Sequence, residues 1–95
     1  MSNFYRALTV SSDAYPDRLS PQVQIPFEPD SVLIRNHGNG TVFVSFSDGI
    51  RDDEELRAGT PLQTQEVRTR AQTIWFRKAT GATTQDVTIE ASSDR

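Results

Sequence analysis

The chain has no cysteine, one histidine, one lysine and no apolar run longer than three residues. Without cysteine there is no disulfide, thiolate-held zinc, iron–sulfur cluster or thiol nucleophile. Runs of three fall far short of the roughly 20 apolar residues that span a bilayer as a helix, so no membrane partner is expected. The opening Met1-Ser2-Asn3-Phe4-Tyr5-Arg6 lacks the basic-then-apolar layout of a secretory signal. Amphipathic helix is missing too: no stretch of 12 residues repeats apolar positions at three and four. At most Asp52 to Leu56 forms a single helical turn. With 95 residues and 35% apolar types, what remains is one small domain with a thin core.

Charge is sparse and leans acidic. Ten basic against thirteen acidic residues give a net charge of -3. The longest run of one sign is Asp52-Asp53-Glu54-Glu55, and a nucleic-acid binder needs the opposite sign clustered to displace counterions. Nucleic acid is not expected as a partner. The basic set is nine arginines and Lys78, and arginine is the cation that protein interfaces favour.

What the sequence does contain is alternation. Phe4 to Val10 reads as a first strand, with Arg6 breaking its apolar row. Ser11 to Pro21 is an arm without period. Gln22 to Phe27 alternates, and Pro26 assigns it to a sheet edge or strand end. Glu28-Pro29-Asp30 is a turn. Ser31 to Arg35 and Thr41 to Phe46 read as two strands of a hairpin around Asn36-His37-Gly38-Asn39-Gly40. Leu62 to Arg70 is a polar strand, Thr73 to Arg77 a further strand, Lys78 to Thr84 a glycine-containing turn, and Asp86 to Ala91 a last strand before a frayed tail. The expectation is an all-β fold, an antiparallel β-sandwich or small barrel of about seven to eight short strands. It is a single domain: residues 1–30 supply an N-terminal strand, arm and edge strand that pack on a body formed by 31–95.

Burying one face of each strand selects a core of Leu8, Val10, Val23, Ile25, Val32, Ile34, Val42, Val44, Phe46, Ile74, Phe76, Val87 and Ile89. Phe43 lies between Val42 and Val44, and Trp75 between Ile74 and Phe76, so both face away from that core, as do Tyr5 and Leu33. Central strands that are apolar on both faces need a second cover. Either the Ser11–Pro21 arm folds over Phe43 and Trp75, or a neighbouring protein does. On the second reading Tyr5, Phe43 and Trp75, with Arg35, Arg68, Arg70 and Arg77, form an interface.

Chemistry is hard to find. His37 sits among turn formers, there is no Gly-x-Ser-x-Gly elbow, and the Asn36–Gly40 turn opens no phosphate-binding helix. Asp48, Asp52, Asp53, Glu54 and Glu55 carry enough oxygens for calcium but not the calcium-loop spacing. Arg51 and Arg57 flank them, and a solvated charged loop is expected. No catalytic residue, cofactor or metal ligand is assigned, and the chain does not read as an enzyme.

The segment Val42-Phe43-Val44-Ser45-Phe46-Ser47-Asp48-Gly49-Ile50, followed by Leu56-Arg57-Ala58-Gly59-Thr60-Pro61 and Ile74-Trp75-Phe76-Arg77-Lys78-Ala79, resembles the small β-structured virion proteins of tailed bacteriophages. The similarity covers about residues 31–91, and Ser47 is a one-residue addition to the commoner Phe-Asp-Gly pattern. The resemblance implies a structural role in the virion, assembled in the bacterial host cytoplasm. It points to a capsid decoration or cement protein, or a tail, baseplate or head–tail connector component. The implied partners are other virion proteins, such as the major capsid protein or tail proteins, and further copies of the chain. A host-surface or carbohydrate-binding module using the acidic loop and Trp75 is the rival from another class, and a small hydrolase a third.

Overall fold

The structure, a computed structural model, describes residues 1–47, 52, 54–56 and 63–94. Eight strands form it: β1 Ser2–Val10, β2 Val23–Gln24, β3 Ser31–Asn36, β4 Val42–Ser45, β5 Glu54–Leu56, β6 Gln63–Val67, β7 Thr73–Lys78 and β8 Gln85–Ser93. They pair as two antiparallel four-stranded sheets, ordered β1-β8-β3-β6 and β2-β7-β4-β5. Among the described strands β4 and β5 are the one consecutive pair that lies side by side in a sheet; every other connection crosses from one sheet to the other. This is the jelly-roll arrangement of a β-sandwich, and no helix occurs among the described residues.

The core is the strip where the two inner faces meet. In β8 the pattern Gln85, Val87, Ile89, Ala91, Ser93 is buried at every second position, and in β3 Val32, Ile34 and Asn36 are. Period-2 burial in this sheet is what a strand with one wet face requires; in the other sheet β7 is buried at Ile74, Trp75 and Phe76 in succession, so it is covered on both faces. Eleven of the thirteen expected core residues are buried; Leu8 and Phe46 pack against the core while remaining partly exposed. Leu56 joins them from β5, so Glu54–Leu56 is extended rather than a helical turn. Its register opposite Val42 rewards β structure there with a buried leucine.

Two further expectations are corrected. The Ser31–Phe46 segment is not a hairpin: β3 pairs with β6 and β8, and β4 with β5 and β7. The intervening glycine loop changes sheets, and two buried amide side chains, Asn36 and Gln85, hold it. The Asn36 Nδ2–H donates to the Gly40 carbonyl at 2.7 Å, and its Oδ1 accepts from the Gly38 N–H at 2.9 Å. Gln85 Oε1 accepts from the Gly40 N–H at 2.7 Å, and its Nε2–H donates to the Thr83 carbonyl at 2.7 Å. The packing leaves no room for a side chain, since a Cβ on Gly38 would lie 1.9 Å from Gln85 Oε1. The second correction is at the end of the chain. Ser92 and Ser93 are not frayed but belong to β8, paired with Asn3 and Ser2, and Ser93 is buried.

Candidate functional site

The outer faces of the two sheets are built differently. On the β2-β7-β4-β5 sheet, the register places Phe43 opposite Arg77 and Ser45 opposite Trp75, so these four residues project away from the core. The chain covers them itself. Residues 11–22 run over this face, and Trp75 is only 2% exposed although it is not in the central core cluster. Its indole N–H donates to the Asp17 carbonyl at 3.4 Å.

The cover is fastened along one side of β7. The Ile25 N–H donates to the Gln72 carbonyl at 2.7 Å, which fixes the ladder phase so that the main-chain groups of residues 72, 74 and 76 face β2. Two residues along from the Val23–Ile74 pair, the position opposite Phe76 falls to Pro21, which has no N–H. The Gln22 amide takes its place. Its Oε1 accepts from the Phe76 N–H at 3.0 Å, and its Nε2–H donates to the Phe76 carbonyl at 2.8 Å. One step further, the Lys78 N–H donates to the Ser12 carbonyl at 2.9 Å.

The other side of the cover is electrostatic. Asp52 receives Arg77 bidentately, Nε–H to Oδ1 at 3.1 Å and Nη2–H to Oδ2 at 2.6 Å. The Tyr15 hydroxyl from the arm donates to the same carboxylate. The guanidinium lies 4.1 Å from the Phe43 ring centre and 5.5 Å from that of Tyr15, a cation held between two π faces. The Arg77 hydrogen bonds hold the Asp52 carboxyl below the usual carboxylate range. Burial, reinforced by the bond to Asp52, raises the Tyr15 hydroxyl above the ordinary tyrosine value.

The outer face of β1-β8-β3-β6 is open. A row across it reads Tyr5, Glu90, Leu33, Glu66, and these residues line a shallow hollow of about 510 Å³ with Ser31 and Ser92. Tyr5 is 62% exposed, and Leu33 is half-buried. Arg35 leans on Glu90 at 3.6 Å. Arg68 and Arg70 follow β6, both exposed, beside Asp30 and Asp94; Arg70 lies 3.5 Å from Glu28.

The seven arginine and aromatic residues read as an interface therefore separate. Tyr5 and Arg35 lie on the open face, and Arg68 and Arg70 at its margin. Phe43, Trp75 and Arg77 lie under or within the arm, so in this chain they are not a free docking surface: the arm supplies the second cover. Trp75 has no face left to offer a sugar ring. His37 is exposed, as expected, and its Nε2 shares a hydrogen bond with Thr88 Oγ1 at 2.9 Å. Of the acidic run, Asp48 and Asp53 lie outside the described residues, as do Arg51 and Arg57. Asp52 is occupied by Arg77 and Tyr15. No cluster of three or more His, Asp or Glu side chains arranged to hold a metal occurs among the described residues. Tyr15 and Gln22, which fasten the arm, carry no mark in the sequence, because nothing in an aperiodic arm singles out a residue whose partner is 37 or 54 positions away.

No protein-family model matches the chain, and no curated protein is similar to it. Among solved structures, it superposes on a chain from the structure described as "Bacillus endospore appendages form a novel family of disulfide-linked pili". The TM-score is 0.53 and the identity 15%, over 96% of this chain and 87% of that one. The likeness is one of fold. The covalent linkage that description names needs cysteine, which this chain lacks.

Proposed function

We propose that the chain is a non-enzymatic structural subunit that works by packing against other proteins. On the sequence resemblance, it is a virion component of a tailed bacteriophage that decorates the capsid, with a tail or connector position as the alternative. One observation carries this reading. The molecule closes one sheet face with its own arm and leaves the other open, with Tyr5 exposed, Leu33 half-buried and a nine-residue edge strand alongside. Exposed aromatic and aliphatic groups rimmed by charge are the usual composition of a protein contact surface. The Asp52 carboxylate is spent on internal contacts with Arg77 and Tyr15. Jelly rolls form shell proteins and lectin domains alike, so fold alone does not choose between them. The likeness to a subunit of an assembled appendage agrees with a building-block role.

Co-sedimentation with purified capsids and with purified tails tests it. Binding to one of them, weakened by Tyr5→Ser and Leu33→Ser at unchanged melting temperature, is the expected result. A protein that binds neither particle but titrates against an oligosaccharide panel would overturn it.

A further inference from the structure

Three of the four sheet edges are short. Beside β7, β2 pairs over two residues and is flanked by Pro21 and Pro26; β5 has three residues and β6 five. Edges of two or three residues and flanking prolines are standard protection against unwanted pairing, whereas the five residues of β6 are enough for a short ladder. The exception is β1, nine residues long and paired only with β8 among the described residues.

The outward-directed main-chain groups of that edge follow from the ladder. The His37 N–H donates to the Asp86 carbonyl at 2.8 Å, which continues the β3–β8 register and fixes its phase. Even-numbered residues of β8 therefore bond β3, and odd-numbered ones bond β1. Even-numbered residues of β1 bond β8, leaving the N–H and C=O groups of Asn3, Tyr5, Ala7 and Thr9 directed outward. The same counting across β3 leaves those of Thr64 and Glu66 directed outward from β6. Strand directions alternate over four strands, so β1 and β6 run antiparallel, and at both edges the outward-bonding residues carry side chains on the outer face. An even-stranded sheet with these properties continues into an identical copy without reversal of direction, face or phase.

We infer that β6 of one copy pairs with β1 of the next, joining the β1-β8-β3-β6 sheets edge to edge, with Tyr5 opposite Glu66 of the neighbouring copy. This register places all five β6 residues within β1. It sets Phe4 against Val67, both half-buried in the single chain, and carries the Tyr5–Glu90–Leu33–Glu66 row straight across the junction. Arg6 disfavours the fully overlapped twofold arrangement. In β1–β1 pairing with full overlap, Arg6 would lie directly opposite Arg6 at the closer, non-hydrogen-bonded spacing, where like charges repel; against β6 it meets Gln65. The contact is heterologous, so it propagates until curvature closes it. The inference rests on the building-block reading and supplies its partner, a second copy of this chain.

Cross-linking reads the register directly, because the chain brings no cysteine of its own. In the double variant Ala7→Cys/Thr64→Cys, the two positions lie three strand spacings apart within one chain, roughly 14 Å. That is beyond disulfide reach. At the junction they are opposite one another. Oxidation is expected to give a ladder of covalent oligomers, while Ala7→Cys alone stays monomeric. Ala7→Pro removes an outward N–H and no β8 bond, so it should abolish concentration-dependent association in sedimentation velocity and leave the melting temperature within a few degrees. Efficient dimers from Ala7→Cys alone, or a wild-type monomer at millimolar concentration, would overturn the inference. A wild-type monomer that still co-sediments with capsids or tails refutes this junction and leaves the building-block reading standing.

Discussion

Replacing Gln22 with methionine isolates the arm's main fastening. The side chain keeps its length and most of its volume, so packing changes little, but both bonds to Phe76 disappear. Phe76 is fully buried, and Pro21 cannot supply the missing donor. A buried main-chain group left unpaired costs about 1–3 kcal/mol. Gln22 is itself half-buried, so water reaches part of the gap, and the total for the two groups is about 2–4 kcal/mol. For a domain of this size 1 kcal/mol moves the melting temperature by about 4–8 °C, so Gln22→Met should lower it by at least ~8 °C. Thermal unfolding followed by fluorescence of Trp75, the only tryptophan, reports the arm and the core together. A shift below ~3 °C would show that water replaces the amide without cost and that the arm is not fastened there.

Trp75→Ala should destabilise the fold by about 3–5 kcal/mol, as burial of a large aromatic implies; a denaturant midpoint near wild type would mean the arm does not cover it. Asp52 has a lowered pKa, so its contribution is present above the ordinary carboxylate value near 4 and lost as pH falls through the folded value. The stability difference between wild type and Asp52→Asn should thus shrink as pH drops from 5 toward 2 in urea titrations. Tyr15 shifts the other way, so its contribution is complete below about pH 10 and declines above it, and Tyr15→Phe should flatten the alkaline limb. Gly38→Ala drives a methyl into Gln85 and should cost about 1–3 kcal/mol by overpacking, read as a lower urea midpoint at unchanged slope.

Period-2 alternation made the strands and most of the core readable, because the strands of the β1-β8-β3-β6 sheet have one wet face and sequence records that directly. Pairing was not readable in the same way. The Asn36–Gly40 segment has the composition of a hairpin turn, and what makes it a crossing is Gln85, 45 residues beyond Gly40. Phe43 and Trp75 were recognisable as needing cover, since they sit out of phase with their strands. That the arm provides it depends on Pro21 and Gln22 meeting Phe76, a match no local pattern encodes. Leu56 was missed because a single leucine in an acidic stretch carries no period.

The partner of β1 is β8, more than 80 residues away along much of their length. Such pairings form slowly, because a long loop must close before any contact rewards it. During synthesis the first strand emerges early and cannot find its place until the last has left the ribosome, so a greasy ribbon of nine residues waits unpaired. Arg6 in the middle of that ribbon is well placed to discourage nascent chains from sticking to one another meanwhile.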